Sequence, residues 1–404
     1  MSFTLDFFKN WASTYTTWNT LKDYITSEAG GNLRVIEDAE RGEAIIRYDK
    51  KGSDLSRPEV RWCRSVVWNM RTNRPLSVMP PKGLDVTTDI MNKTELPVGW
   101  TVGDYYEGTT LALYRNGDVE RIASRTKFDA TGGFYSKRSF ADLYGDCVGS
   151  ATAPEVNGFL SVLIQHPEHR VVGQVQKATS YVLHTGVVAE DGTVTITEAG
   201  RYAEQPNFEG KTLAEWFAAE ASRRGWEWQG IVIKDGAGTR YRLRSNTYRM
   251  VRSLRGETPR ADERFFTLRR QGLIKTYLYY YPEDKQRFWD YENWLRDATE
   301  QLYNAYCAVY KERSVQLEAV PKKWHVHLAG LHGQYLQTLR AQKKTVNKDV
   351  AKDYMNSQPT PRLLFLMNLE KRQPKTAPPA VVPLATSPQE RRTTTQAIAI
   401  TGNV

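Results

Sequence analysis

The hydrophobic period of this chain changes once. From residue 31 to about residue 250, apolar residues fall in short alternating runs cut by Gly, Asn and Asp; beyond about residue 258 they recur at three- and four-residue steps. Strand-type runs followed by helix-type runs imply an α+β fold: an antiparallel-sheet domain followed by an all-helical one. Residues 43–48, 65–68, 110–114 and 240–244 read as strands. Asn116-Gly117 suits a tight hairpin turn returning through 119–122, and a second hairpin is expected between Val188 and Val194.

Helices are expected over 2–25, around 139–144, and over 212–225, where Thr212 precedes Leu213, Trp216 and Phe217 as an N-cap. Pro282-Glu283-Asp284 opens a long helix whose stripe, Phe288, Tyr291, Trp294, Leu295, Ala298, Leu302 and Tyr306, reads as core. Further helices are expected over 333–342 and 346–368. From Gln373 the chain turns to Pro, Ala, Thr and Arg without periodicity, the composition of a disordered tail. The expected domains are therefore 1–255, sheet-rich; 256–370, helical; and a tail over 371–404.

Composition narrows the class. Of the 404 residues 40% are hydrophobic, and no run approaches the roughly 18 apolar residues of a membrane helix. The chain does not open with a charged segment leading into an apolar one, as a secretory signal does. Cys63, Cys147 and Cys307 lie far apart and are odd in number, against a disulfide framework or zinc ribbon. The expectation is an intracellular, cytoplasmic protein with no membrane partner. A formal charge of +10 favours polyanionic partners.

Few residues carry chemistry on their own. His325, His327 and His332 lack Cys or acidic companions at ligand spacing, so no metal site is assigned. His166 and His169 bracket Pro167 in what reads as a surface loop. Gly132-Gly133 and the Lys234-to-Gly238 run lack the spacing and context of a phosphate loop. Arg240, Arg242 and Arg244 are different: they alternate on one strand and so share a face. Three guanidiniums side by side are unfavourable unless carboxylates interleave or an anion neutralises them, and two readings stand equally: a phosphate-binding wall, or a solvated edge strand followed by a basic helix. More arginines follow, from Arg249 to Arg270. Tyr277, Tyr279, Tyr280 and Tyr281 are read as packing, with base stacking the alternative.

Taken in order, these segments resemble the phage-type ATP-dependent RNA ligases, the tRNA-repair branch of the lysyl-AMP nucleotidyltransferases. The similarity covers roughly residues 30–255 and continues more weakly to about 345. Trp62-Cys-Arg-Ser-Val-Val67 and Pro81-Lys-Gly-Leu-Asp85 stand where that family has cations near the nucleotide, at Arg64 and Lys82. Tyr105-Tyr-Glu-Gly-Thr-Thr-Leu111 looks like the adenylation motif Lys-x-Asp-Gly-Ser/Thr, placing Tyr105, Glu107 and Gly108 at the site, and Ser124-Arg125 matches a following Ser-Lys/Arg segment. Residues 162–172 resemble the third motif, Gln229-Gly-Ile-Val-Ile233 the Glu-Gly strand, and Arg242-Leu-Arg-Ser-Asn-Thr-Tyr248 the closing Lys-x-Lys-Ser-x-x-Tyr. The resemblance implies a pocket between sheets that binds ATP and Mg2+, RNA, including tRNA, as partner, a helical domain that selects it, and a viral or phage origin.

The departures fall on the reactive positions. Tyr105 holds the slot of the lysine that attacks the ATP α-phosphate, and a phenol of pKa about 10 is mostly protonated at neutral pH. Leu163 and Gln229 replace two glutamates, and a magnesium site wants anionic oxygens. Arg242 and Arg244 replace two lysines. Meanwhile Gly108, Thr109, Pro167, Gly230, Ser245 and Tyr248 remain. The expectation is a ligase-like pseudoenzyme that binds RNA or nucleotide phosphates without self-adenylation. The alternatives are an end-joining enzyme using Tyr105 or pre-adenylated ends, and a viral assembly protein on a ligase scaffold. Glu227, two before Gln229, is a candidate replacement carboxylate, and Lys234 a displaced nucleophile.

Overall fold

Three sheets account for the strand-type runs in a computed structural model that describes residues 2–147, 151–152, 154, 157–199, 202–203 and 208–372. The largest is antiparallel and six-stranded, in the order Ser2–Leu5, Val194–Glu198, Thr179–Val188, Gly158–Gln165, Thr109–Asn116, Val119–Ala123. A four-stranded antiparallel sheet runs Arg34–Asp38, Glu43–Arg47, Val66–Asn69, Arg74–Val78. The third runs Tyr202–Ala203, Thr101–Asp104, Gly230–Lys234, Arg240–Arg244, Leu84–Asp85, and its last pair is parallel. The architecture is mixed α+β, with antiparallel sheets and a helical C-terminal region. Both expected hairpins form, with Asn116 beside Val119 and Val188 beside Val194.

Alternation explains how the sheets are covered. Ala112, Tyr114 and Phe159 point into a core shared with the four-stranded sheet and with Phe8, Trp11, Leu21 and Ile25. Their neighbours Leu111, Leu113, Leu160 and Val162 point the other way, against Leu143. A sheet buried on both faces reads as a continuous apolar run, which is what Thr110-Leu-Ala-Leu-Tyr114 is. In the five-stranded sheet Ile231, Ile233, Tyr241 and Leu243 face Phe217 and Trp228. The same alternation turns Arg240, Arg242 and Arg244 to the opposite face.

Capping fixes the short helices. Thr212 and Ser139 both form capping boxes, before Leu213–Arg224 and Phe140–Gly145. The expected N-terminal helix is corrected: Ser2–Leu5 is an edge strand paired with Val194–Glu198, and the helices are Phe7–Thr14 and Trp18–Thr26. Phe3 and Leu5 alternate inward over only four residues, a signal too short to stand out beside the helical run that follows.

The helical region begins with Asn246–Arg255, capped by Ser245, and continues through Ala261–Arg270 and Ile274–Tyr280 to the long helix Lys285–Tyr306. Of the seven stripe residues Phe288, Leu295, Ala298, Leu302 and Tyr306 are buried, while Tyr291 and Trp294 are half-buried. The chain divides into two compact units between Arg296 and Asp297. In the second unit the helix expected over 333–342 lies earlier, at Lys322–Gln334, and runs on as a π-turn, Tyr335–Leu339. The helix expected over 346–368 is two, Lys348–Ser357 and Thr360–Arg372. Pro359 separates them, because proline forces the preceding Gln358 into extended backbone. The expected tail falls, from residue 373 on, outside the described residues. Among the described residues no helix is long and apolar enough to cross a membrane.

Candidate anion-binding cavity

In the first unit a cavity of about 210 Å3 lies between the six-stranded and five-stranded sheets. Six of the nine residues expected at the site line it: Arg64, Tyr105, Glu107, Gly108, Gln229 and Arg244, the other three being Lys82, Arg125 and Arg242. Its wall also carries Leu163, Lys234, Arg240, Tyr248 and Arg252. Residues far apart in sequence meet because the strand ending at Asp104 pairs with Gly230–Lys234, which pairs in turn with Arg240–Arg244.

Tyr105 is the centre of the cationic group. Its backbone N–H donates to the Gly230 carbonyl at 2.9 Å, fixing the residue beyond the strand end. The guanidiniums of Arg240 and Arg244 lie 5.0 and 5.1 Å from its ring centroid. Arg244 also donates to the Tyr105 hydroxyl at 2.9 Å, while its buried Nε finds no acceptor among the described residues. Burial raises the Tyr105 pKa, but Arg240, Arg244, Arg64 and Arg242 together outweigh it and bring the phenol down to about 8. Burial first, and then the charge of Arg240, lowers the Arg64 guanidinium; burial likewise lowers Arg244, with the Tyr105 phenol opposing it. None of Arg64, Arg240, Arg244 and Arg252 forms an ion pair with a carboxylate among the described residues.

A titration follows. Absorbance at 295 nm is expected to report one phenol ionising near pH 8, which Tyr105→Phe removes. Because the folded pKa is depressed, ionisation adds stability that is fully present above the ordinary value of about 10 and is lost as pH falls through about 8. Wild type therefore gains on Tyr105→Phe between pH 8 and 10; a flat difference over that window refutes the assignment.

The remaining sequence candidates are placed elsewhere. Lys82 lines a second pocket, of about 260 Å3, together with Arg61 and with Arg240, which borders both. Arg242 donates to Asp85 at 3.0 Å on the sheet edge. Arg125 braces the scaffold, donating to the carbonyls of Arg64 and Tyr48 with its guanidinium 4.7 Å from the Tyr48 ring centroid. Glu107 points its carboxylate at the backbone: it accepts from Val171 at 3.2 Å, Val172 at 2.8 Å and Gly173 at 3.4 Å, and from the Tyr248 hydroxyl at 2.7 Å. Gly108 has φ +153°, and a Cβ there would sit 2.4 Å from the Ile164 carbonyl oxygen, so glycine is what lets the two strands close.

Other readings change. Glu227 lies before the strand, not on its face, and accepts from the Gln174 N–H at 3.2 Å. Lys234 is on the cavity wall, buried and ion-paired with Glu198; burial, opposed by Glu198, lowers its amine to about 8. Alternation along Gly230–Lys234 was the signal that could have placed it there, since Val232 and Lys234 share a face. His166 and His169 are buried rather than exposed: His169 pairs with Thr109 at 2.9 Å and His166 with Asp146 at 3.2 Å. The downstream arginines are mostly bracing. Arg255 contacts Glu283, Arg260 contacts Asp262, Arg264 contacts Asp284 and Arg269 contacts Glu292, while Arg252 lies on the cavity. Tyr277 and Tyr281 are fully buried, while Tyr279 is 76% exposed.

Neither a scan against protein-family models nor a search of curated protein sequences finds a match to the chain.

Proposed function

We propose that this protein is an RNA-ligase-like pseudoenzyme that binds RNA or nucleotide phosphates in the Arg-rich cavity and does not adenylate itself. The observation that carries this reading is the group Arg64, Arg240, Arg244 and Arg252, four cations around one cavity, none of them ion-paired with a carboxylate among the described residues although Asp104 and Glu107 also line it. Two guanidiniums roughly 7 Å apart repel by about 2 kcal/mol at an effective dielectric of about 20. A phosphate removes that cost and offers oxygens to forked donors. Tyr105 stands where the resembled family has its nucleophilic lysine, which is why self-adenylation is not expected. Incubation with labelled ATP and magnesium or manganese is the test: the expected result is ATP binding without a covalent protein–AMP adduct, and a stable adduct overturns the reading.

One observation favours a second reading, an end-joining enzyme. A phenol brought down to about 8 is partly ionised near neutral pH. Its oxygen would attack the ATP α-phosphorus, forming a tyrosyl O–P bond while the α–β anhydride breaks and pyrophosphate leaves. That reading expects an acid-stable adduct lost in Tyr105→Phe, or sealing of a pre-adenylated RNA end that disappears on substituting Arg244→Ala, a residue that lines the cavity.

A further inference from the structure

Resting on the phosphate-binding reading, we infer that the cavity takes the phosphate end of its ligand without a divalent cation, the arginines supplying the countercharge that a metal otherwise brings. The carboxylates that approach the cavity are already committed. Asp104 accepts from Arg224 at 2.5 and 3.0 Å and from the Trp228 indole N–H at 3.0 Å. Glu107 is held by three backbone N–H groups and the Tyr248 hydroxyl. Glu198 neutralises Lys234. The two positions where a metal-binding family would place carboxylates carry a hydrocarbon, Leu163, and an amide, Gln229.

Magnesium bound with phosphate keeps several waters and takes one or two protein carboxylates. Among the described residues that line the cavity it would find no uncommitted carboxylate, and it would enter a field set by Arg64, Arg240, Arg244 and Arg252. Those same cations favour the bare polyanion, whose charge is greatest when no metal is bound. Size points the same way. A volume of about 210 Å3 is below the roughly 300–1,000 Å3 that encloses drug-sized ligands, so a pyrophosphate-sized group matches it best. Arg240 borders both this cavity and the pocket of Arg61 and Lys82, giving the rest of a phosphate chain a cationic way out.

Calorimetric titration of the full chain with inorganic pyrophosphate, in EDTA and in excess magnesium, tests this. The expected result is binding in EDTA that magnesium leaves equal or weakens, about tenfold at saturation. Binding that needs magnesium, or is tighter with it, overturns the inference and leaves the phosphate-binding reading standing. No binding in either buffer sinks that reading, and the inference with it. Arg240→Gln is expected to weaken binding in EDTA about tenfold; unchanged affinity puts the ligand elsewhere and also overturns the inference.

Discussion

Arg244→Ala is expected to weaken pyrophosphate binding by about a hundredfold while leaving the fold as stable as the wild type or more so. The binding loss follows from the donor lost: charge-assisted hydrogen bonds contribute roughly 1.5–3 kcal/mol, and about 1.4 kcal/mol is tenfold in affinity. The stability result is less usual, because truncating a partly buried residue ordinarily destabilises. Here, among the described residues, the side chain makes one hydrogen bond, to the Tyr105 hydroxyl, and holds a buried Nε–H with no acceptor. Against that bond and the cation–π contact with the Tyr105 ring, each worth about 1 kcal/mol, stand burial and repulsion from Arg242 and Arg252, which lower the guanidinium pKa. Removing a cation from an under-neutralised group relieves strain held for binding. Removing it also weakens the pull on the Tyr105 phenol, so its ionisation moves up from about 8. Calorimetry, thermal unfolding and the 295 nm titration read the three effects separately. Unchanged affinity, or a stability loss above about 3 kcal/mol, would show that Arg244 is a bracing residue like Arg264.

What sequence could reveal follows from range. Local rules placed what depends on neighbours in the chain: the capping boxes at Thr212 and Ser139, the Asn-Gly hairpin and the shared face of Arg240, Arg242 and Arg244. The buried stripe of the long helix was equally plain, since period alone decides it. Pairing at a distance was not legible. Nothing local says that Ser2–Leu5 closes a sheet at Val194–Glu198, or that Arg125 spends its donors on two carbonyls. Buried histidines misled for the same reason: His169 looks like a polar turn residue until Thr109 arrives from another strand. The cavity itself was half legible. Six of its residues lie in short motifs and Arg240 follows from strand alternation, whereas Arg252 joins only through the helix that follows Ser245. Lys82 and Arg242 show the limit of that approach, since sharing a motif or a strand face with cavity residues did not bring them to its wall.

Glu107 provides the sharpest contrast with Arg244, because its motif position marks it as a site residue and its contacts mark it as a brace. Its carboxylate gathers Val171, Val172, Gly173 and Tyr248, tying the segment after Gly108's neighbour strand to the helix capped by Ser245. Tyr248 is 1% exposed, and burial, reinforced by Glu107, pushes its phenol far above the ordinary range. That hydroxyl therefore stays protonated and donates. Glu107→Ala removes the acceptor for all of these donors at once. An orphaned buried donor costs about 1–3 kcal/mol, and with water entering from the cavity to serve some of them the expected loss is about 4 kcal/mol. Glu107→Gln keeps the shape and one acceptor oxygen but turns an amide NH2 toward N–H groups, so it is expected to recover about half of that loss. Urea denaturation of the two variants measures the order: wild type above Gln, and Gln above Ala. If both variants unfold with the wild type, the carboxylate is not holding the loop and is available to a ligand or metal after all. If the predicted order appears while Arg244→Ala loses binding at full stability, then the two residues divide the cavity between them, one holding its walls and the other its anion.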